Sequence, residues 1–247
     1  MHDIDVYGYI TSDKLYSDDV TAKEFIAALR EAGGDEVTVH INSGGGDTME
    51  AAAMAEAISA YNGHVVASIE GLAASAASYF ALSADEVVMN PYAFMMVHNP
   101  SGACFGTSED MRGTAEVLDK VRGTIVSQYA RKTGMDGSEL GRMMDAETWM
   151  TAEEAKSLGF VDSLTDAEPV TACIDARSAS RYRHVPRFLV DSQRPRADAV
   201  GHARDTIHET AEGAEPVPVA GKEGAGAAPK LVCVDGVFLN AKENENA

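Results

Sequence analysis

Apolar residues recur along the first part of the chain with two different spacings. Short runs that alternate apolar and polar positions, such as EVTVHI at Glu36–Ile41, are typical of strands, whereas Phe25, Ile26 and Leu29 have helical spacing. The predicted strands are Asp5–Ile10, Glu36–Ile41, His64–Ile69, Glu86–Met89 and Phe94–Val97. The predicted helices are Asp18–Ala32, Thr48–Tyr61, Ala73–Ser83, Ser108–Thr133, Ser138–Met144 and Thr151–Leu158. Because strands that alternate with helices are typical of parallel βαβ units, the pattern predicts an α/β fold.

The pattern changes after the last predicted helix, and we expect a domain boundary there. Residues 1–166 carry the alternating strands and helices, whereas residues 167–247 are rich in Ala, Glu, Gly, Pro and Arg. Within this tail, Ala211–Lys230 has low complexity and no face that could pack on a core, which predicts disorder. The apolar stretch Leu231–Asn240 surrounds Asp235-Gly236, a pair typical of hairpin turns. That stretch could form a strand pair, act as a docking peptide or be the apolar end of a disordered tail.

Charge and cysteine usage narrow the class of protein. With a formal net charge of −19, the surface repels nucleic-acid phosphates and the anionic face of a membrane, so neither is an expected partner. The three cysteines are far apart and form no CxxC pair, which argues against a zinc site or a disulfide framework. No signal peptide is visible from Met1 to Tyr9, and no run reaches the roughly 18 apolar residues of a membrane span. A cytoplasmic protein is therefore expected.

A glycine loop, NSGGGD at Asn42–Asp47, follows a predicted strand and precedes a predicted helix. A loop in that place presents free backbone N–H groups, which can bind a phosphate or stabilise an oxyanion. The loop lacks the lysine of a P-loop and the spacing of GxGxxG, so it supports nucleotide binding only weakly. Taken alone, the loop could also be an ordinary tight turn.

A serine and a histidine carry the candidate chemistry. Ser75 lies in GLAASAAS, where small neighbours let a substrate backbone approach, although a serine there can also simply cap a helix. His98 ends the apolar run MMVH, and ligands in open α/β sheets gather at the carboxyl ends of strands. A serine hydroxyl needs a base to act as a nucleophile, and that base needs a third group to orient it. The candidate acids are Asp145 and Glu147 in MDAETW.

Four motifs, in this order along the chain, resemble those of the ClpP peptidase family. INSGGGD resembles the family's INSPGG loop, GLAASAAS its GxAASxxS nucleophile segment and MMVHNP its MxHxP histidine segment. ETWMTAEEAKSLGFVDSL resembles the closing FLxxxEAxxxGLxD segment. The resemblance covers roughly Val37–Leu164 and implies a ClpP/crotonase-like fold of repeated ββα and βαβ units with a protruding handle helix. The loop glycine in place of proline and the ETW element are most similar to the phage and prophage branch, several members of which are head maturation proteases.

The resemblance implies a serine endopeptidase that needs no metal or cofactor. Ser75 matches the family nucleophile and His98 its general base. Gly46 and Ala76 match the residues whose backbone N–H groups form the oxyanion hole. The family's acid, usually Asp, aligns with Glu147, and Asp145 is the second choice. Glu in place of Asp departs from the family pattern, although its carboxylate can do the same electrostatic work with a longer reach.

The resemblance also implies partners. Ser101–Thr107 is similar to the Gly-rich strand that binds a polypeptide substrate by strand addition, and Ser108–Thr133 to the handle helix that joins two rings. We therefore expect a ring-shaped homo-oligomer acting on polypeptides, with capsid or scaffold proteins as candidate substrates. An AAA+ unfoldase is a candidate partner, and the interior of a phage procapsid is an alternative location to the cytoplasm.

Other functions fit part of the same pattern. A crotonase-type acyl-CoA enzyme would share the fold and the oxyanion hole but would not need Ser75 and His98 as a pair. A Ser–Lys peptidase would need a lysine base, and the nearest lysines, Lys120 and Lys132, fall on the presumed handle helix. A catalytically decayed assembly or scaffold component is suggested by Glu147 and by the acidic tail. The tail itself is either an inert solvated segment or a scaffold-like, self-cleaved extension.

Overall fold

The computed structural model of the chain describes residues 2–166, 174, 179–187, 189, 231–234 and 237–240. The strands are β1 (His2–Tyr7), β2 (Val37–Ser43), β3 (Val65–Ala74), β4 (Glu86–Met89), β5 (Phe94–Val97), β6 (Gly102–Cys104), β7 (Thr148–Thr151), β8 (Ser163–Leu164), β9 (Leu231–Val234) and β10 (Val237–Asn240). The helices are α1 (Ala22–Glu31), α2 (Thr48–Ser59), α3 (Ala76–Ala81), α4 (Ser108–Thr133), α5 (Gly137–Asp145) and α6 (Ala152–Ser157).

Parallel pairing dominates the main sheet, which confirms the predicted α/β fold. Strands β1, β2, β3, β4 and β8 lie side by side in that order and are all parallel. Strand β5 branches from β3, and β7 pairs with β5 in the antiparallel direction. The inward side chains of β2, at Val37, Val39 and Ile41, are fully buried because helices cover the sheet.

Strand β3 changes partners halfway along its length. Its first half, Val66–Ile69, pairs with β4, and its second half, Leu72–Ala74, pairs with Phe94–Met96 of β5. Ser75 follows β3 and His98 follows β5. Because β3 and β5 are parallel and end at the same level, this fork brings both residues to one edge of the sheet.

Helix α1 shows how local sequence fixes an element and how packing holds it. The predicted helix began at Asp18, but α1 begins at Ala22 because Thr21 caps it: its hydroxyl accepts from the N–H of Glu24, and the Glu24 carboxylate accepts from the N–H of Thr21. Such a cap contributes about 1 kcal/mol. The helix then buries Phe25, whose ring meets Phe80 of α3 edge-on at 6.0 Å.

Strands β1, β3 and β7 also depart from the predicted elements. Strand β1 is His2–Tyr7, earlier in the chain than the predicted strand, because its register against β2 starts at His2. Strand β3 runs through Ala74, where a helix was predicted from Ala73, because pairing with β5 overrides the helical preference of alanine. The residues Thr148–Thr151 form β7 against β5, so the helix predicted from Thr151 begins at the next residue.

Helix α4 projects from the body of the subunit over much of its length. Its bounds, Ser108–Thr133, match the predicted helix. Its buried residues are Thr114, Ile125, Gln128 and Tyr129, so contact with the core is concentrated in its C-terminal third. The protruding handle helix implied by the resemblance is therefore present.

The tail is described only in part. Strands β9 and β10 pair with each other in the antiparallel direction, and β9 pairs with β6. The disorder predicted for Ala211–Lys230 concerns residues outside those described, and the domain boundary after residue 166 stays a prediction. Within the described residues, no helix combines the length and the apolar character needed to cross a bilayer.

Candidate active site

The turn between β3 and α3 holds Ser75 in a rare backbone conformation. Ser75 has φ 56° and ψ −121°, a region that costs a non-glycine residue about 1–3 kcal/mol unless its surroundings fix it. Its N–H donates to the carbonyl of Met96 at 2.9 Å. Its carbonyl accepts from the N–H of Tyr79 at 3.1 Å and from the hydroxyl of Ser78 at 2.7 Å. Its side chain makes no capping hydrogen bond to α3, so the hydroxyl does not serve as a helix cap.

The hydroxyl of Ser75 instead faces a histidine. Its Oγ lies 2.7 Å from Nε2 of His98, and both side chains are half-buried. A serine hydroxyl at hydrogen-bond distance from an imidazole can lose its proton as it attacks an electrophile. The two residues that the motifs singled out are thus brought together by the β3–β5 fork.

A buried hydrogen-bond network supports the serine turn from below. The hydroxyl of Ser78 lies 2.7 Å from the carbonyl of Ser75 and 3.0 Å from that of Met96, and it also lies 3.0 Å from the Tyr129 hydroxyl. Ser78 has one proton to donate, and the two carbonyls need it. The Tyr129 hydroxyl therefore donates to Ser78, and α4 is tied to the turn. Burial raises the pKa of Tyr129, which therefore stays protonated.

The glycine loop touches the serine turn directly. Gly45 has φ 84°, and a Cβ added there would lie 2.5 Å from the carbonyl oxygen of Ala74 and 3.0 Å from Cβ of Ser75. Gly46 has φ 153°, and a Cβ there would lie 2.0 Å from the carbonyl oxygen of Ile10. Only glycine fits these two positions. The sequence GGG thus allows the loop to approach the residue that carries the candidate nucleophile.

The two predicted oxyanion-hole donors lie on these touching segments. Ala76 is the first residue of α3, so its N–H has no acceptor within the helix. Gly46 follows Gly45 in the loop. The hydroxyl of Ser43 holds this loop, because it accepts a hydrogen bond from the N–H of Gly45 at 3.1 Å. The same hydroxyl donates a hydrogen bond to the carbonyl of Gly8 at 2.5 Å. Ala76 directly follows Ser75, and Gly46 follows the loop residue, Gly45, whose added Cβ would contact Ser75.

The first-choice acid, Glu147, is buried close to the histidine. Its side chain is 8% exposed, and its backbone has φ 51°. One carboxylate oxygen accepts from the N–H of Arg183 at 2.8 Å, and the other accepts from the N–H of His184 at 2.7 Å and from the indole N–H of Trp149 at 3.2 Å. Burial alone would raise the pKa of this carboxyl, but these hydrogen bonds and the attraction to His98 outweigh it and hold the pKa below its usual range.

The second-choice acid, Asp145, ties neighbouring segments together. Its Oδ1 accepts from the amide of Asn99 at 2.8 Å and from the guanidinium of Arg122 at 3.1 Å. Arg122 also donates to the side-chain oxygen of Asn99 at 2.8 Å. The hydrogen bond to Asn99, followed by those from Arg122, lowers the pKa of the Asp145 carboxyl. These contacts anchor the residue after His98 to α4 and α5, which is a structural role.

A small depression opens beside the serine. It is lined by Ser75 and His98 together with Thr48, Ala76, Tyr79, Pro100, Ile125 and Tyr129. Most of its walls come from α2, α3 and α4. Among the described residues, no group of three or more His, Cys, Asp or Glu side chains is arranged to hold a metal ion.

The groups that surround Ser75 and His98 were not recognised from the sequence. The second serine of GLAASAAS is the visible signal for Ser78, but its partner Tyr129 lies 51 positions away on another helix. The contacts of Glu147 with Arg183 and His184 join positions 36 and 37 residues apart, beyond any recognisable motif. Neither relationship has a local pattern that could have revealed it.

Known proteins resemble this chain in sequence. The sequence model described as "Clp protease" matches residues 4–168. The ATP-dependent Clp protease proteolytic subunit of Chara vulgaris is 27% identical over 183 residues, covering 69% of this chain and 84% of that protein. The ATP-dependent Clp protease proteolytic subunit 1 of Chlamydia abortus is 30% identical over 161 residues, covering 61% of this chain and 84% of that protein.

A solved structure gives the same fold. A ClpP1 mutant from Listeria monocytogenes superposes with a TM-score of 0.59, covering 67% of this chain and 91% of that chain. The two sequences are 22% identical, so this likeness bears on the architecture alone. It agrees with the branched sheet and the projecting α4.

Proposed function

The chain belongs to the Clp protease family of serine peptidases, and from that premise we propose that it cleaves peptide bonds with Ser75 as nucleophile and His98 as general base. The observation that carries the proposal is the 2.7 Å distance between Ser75 Oγ and His98 Nε2. The fixed, unusual backbone of Ser75 supports it, because strain of this kind persists where the surrounding structure enforces it and is common at active sites.

The reaction proposed is acyl transfer to water. Ser75 Oγ attacks the carbonyl carbon of the scissile peptide bond while His98 Nε2 takes the hydroxyl proton. The backbone N–H groups of Gly46 and Ala76 stabilise the negative charge on the tetrahedral oxygen. His98 then gives the proton to the leaving amine, and a water molecule, deprotonated by the same imidazole, releases the acyl group from Ser75.

Glu147 is the proposed third member of the catalytic group. Its buried carboxylate is kept ionised by three N–H donors and attracts the imidazolium that forms at His98. Asp145 remains the alternative, but its contacts with Asn99 and Arg122 give it a different task.

The proposed assembly is a ring-shaped homo-oligomer. Phe105, Met111 and Val117 are exposed by 74%, 52% and 40%, and all three lie on or just before the projecting part of α4. Large apolar side chains on one projecting element favour contact with another copy of the subunit. Light scattering on the purified chain tests this proposal, and a monomer at micromolar concentration would contradict it.

The finer role proposed is head maturation in a phage, with capsid or scaffold proteins as substrates. The NSGGGD loop and the ETW element support this branch over the housekeeping Clp peptidases, and either a cytoplasmic or a procapsid location fits. The alternative is Clp-type proteolysis with an AAA+ unfoldase. Assays with a folded and an unfolded substrate, with and without an unfoldase and ATP, separate the two, because only the second role needs ATP for a folded substrate.

Peptide hydrolysis tests the activity itself. The purified full chain and its Ser75→Ala variant are incubated with fluorogenic peptides and with an unfolded protein substrate. We expect turnover by the wild type and none by Ser75→Ala, with both proteins equally folded by circular dichroism. Absence of turnover by the wild type on every substrate would support the decayed assembly component instead.

A further inference from the structure

A short segment beyond the family-matched residues packs against the candidate site. Residues 179–187 and 189, here called the strap, follow the matched range 4–168. Leu189 of the strap is fully buried in an apolar cluster with Ile174 and with side chains of β3 and β5, namely Leu72, Ala74 and Met96. The strap therefore covers the face of the β3–β5 pair directly before Ser75 and His98.

Tyr182 of the strap contacts the histidine. Its ring meets the imidazole of His98 edge-on, with centroids 5.2 Å apart and an interplanar angle of 88°. It also meets the indole of Trp149 edge-on at 5.8 Å, and its hydroxyl donates to the carbonyl of Gly44 in the glycine loop. Aromatic contacts of this kind favour one ring orientation. One side chain thus links the glycine loop, the imidazole and β7.

The next two residues of the strap hold the acid. The N–H of Arg183 donates to one oxygen of Glu147 at 2.8 Å, and the N–H of His184 donates to the other at 2.7 Å. A carboxylate that is 8% exposed needs such donors to stay ionised. The donors are backbone groups, so they act regardless of the side chains at these two positions.

The described residues of the strap contact His98 without lining the depression beside Ser75. The depression beside Ser75 is lined by residues between Thr48 and Tyr129, and no described residue of the strap lines it. A segment that blocked substrates would be expected to enter this depression. Tyr182 of the strap instead contacts the rings of His98 and Trp149.

We infer that the strap is a positioning element of this active site: Tyr182 orients the imidazole of His98, and the N–H groups of Arg183 and His184 orient the carboxylate of Glu147. This inference rests on the proposed peptidase function. It adds to the catalytic group a segment that lies outside the matched family region, and it gives the start of the tail a defined role in the chemistry.

Steady-state kinetics on the full chain test the inference with two matched pairs. Arg183→Pro removes the N–H that binds Glu147, whereas Arg183→Ala keeps it. Tyr182→Ala removes the ring, whereas Tyr182→Phe keeps it. We expect kcat to fall by about tenfold to a hundredfold in Arg183→Pro and Tyr182→Ala, with KM within about twofold of wild type, because a misplaced catalytic group slows chemistry more than binding. Arg183→Ala should retain most of kcat, and so should Tyr92→Ala, which alters an exposed tyrosine elsewhere. Tyr182→Phe keeps the ring but loses the hydrogen bond to Gly44, so its kcat should fall less than that of Tyr182→Ala.

The fluorescence of Trp149 reports whether the strap is docked, and this measurement does not depend on substrate turnover. Trp149 is the chain's single tryptophan, and it contacts both Tyr182 and Glu147. We expect Tyr182→Ala to shift its emission to longer wavelength and to make it more accessible to acrylamide, while Tyr92→Ala leaves both unchanged. Unaltered Trp149 emission in Tyr182→Ala would show that the strap is not docked in solution and would overturn the inference.

The kinetic outcomes separate this inference from the proposed function. An active wild type with an unchanged kcat in both Tyr182→Ala and Arg183→Pro overturns the positioning role alone. A higher kcat/KM in these variants overturns it as well, because that result identifies the strap as an inhibitor. A wild type that hydrolyses nothing, although Trp149 remains shielded from acrylamide, overturns the peptidase function. That result also overturns the catalytic role of the strap.

Discussion

The hydroxyl of Tyr129 lies 3.0 Å from Oγ of Ser78, in a buried site directly beneath the turn that carries Ser75. Through this contact the C-terminal third of α4 supports the backbone of the candidate nucleophile. The Ser78 hydroxyl in turn donates a hydrogen bond to the carbonyl of Ser75 or Met96. The projecting helix is therefore coupled to the turn that carries the candidate nucleophile.

Tyr129→Phe removes the donor and leaves Ser78 with an unfilled lone pair. We expect the free energy of unfolding to fall by about 1–2 kcal/mol, the usual effect of losing one partner of a buried hydrogen bond. Denaturant unfolding at one protein concentration measures it, with Tyr92→Phe on the surface as the control. Equal stability of Tyr129→Phe and wild type would show that this hydrogen bond contributes nothing.

The two candidate acids can be ranked by isosteric variants. Glu147→Gln removes the charge beside His98, and we expect kcat/KM to fall by roughly 10²–10⁴, as when the carboxylate of a serine-protease triad is neutralised. Asp145→Asn should retain most activity, because Asp145 contacts Asn99 and Arg122. A larger loss in Asp145→Asn than in Glu147→Gln would transfer the role to Asp145.

A methyl group at position 45 should disrupt the contact between the glycine loop and the serine turn. Gly45→Ala places Cβ 2.5 Å from the carbonyl oxygen of Ala74, in addition to the strain of a positive φ. Gly134→Ala is the matched control, since Gly134 also has a positive φ, 72°, but nothing lies within 4 Å of an added Cβ. Both variants should lose about 1 kcal/mol from backbone strain, while Gly45→Ala alone should lose activity. Full activity in Gly45→Ala would mean that the loop does not need this close approach.

The less buried face of strands β1, β2 and β3 carries an interaction whose contribution to stability depends on pH. Nδ1 of His40 lies 2.7 Å from Glu70, and Nε2 lies 3.3 Å from Asp3. Partial burial alone would lower the pKa of His40, but these two carboxylates outweigh it and raise the pKa. A raised pKa in the folded state means that the interaction stabilises fully below about pH 6.5, the usual value for histidine, and is lost as the pH rises through the folded-state pKa.

Unfolding measurements on His40→Asn test the direction of this pH dependence. The stability difference from wild type should be larger at about pH 5.5 than at about pH 9. His64→Asn is the control for loss of a histidine, since its pair with Asp85 is half-exposed at 3.6 Å and contributes little. A difference for His40→Asn that grows with pH would contradict the account.

Much of the fold could be predicted because its elements are locally encoded. The strands β4 and β5 and the helix α4 have the predicted bounds, since alternation or helical spacing and strong stop signals coincide there. The bounds of β3 could not be predicted, because Ala73 and Ala74 favour a helix and are strands only through pairing with β5. Strand β7 was missed for the same reason, since it exists as the antiparallel partner of β5.

The candidate site likewise contains some residues that could be predicted from the sequence and others that could not. Ser75 and His98 could be named because the short motifs that contain them resemble those of the ClpP family, whereas either residue alone could have had a structural role. The supporting groups could not, because Tyr129, Arg183 and His184 act through contacts between distant segments. Backbone N–H donors in particular carry no signal in the sequence, since any residue except proline can supply them.

Covalent labelling shows whether Ser75 is a nucleophile that His98 activates. The full chain is treated with a fluorophosphonate, and the modified peptide is identified by mass spectrometry beside Ser75→Ala and His98→Ala. We expect a single adduct on Ser75, none in Ser75→Ala and labelling slowed at least a hundredfold in His98→Ala. An adduct on another residue, or labelling of Ser75→Ala at the wild-type rate, would contradict it.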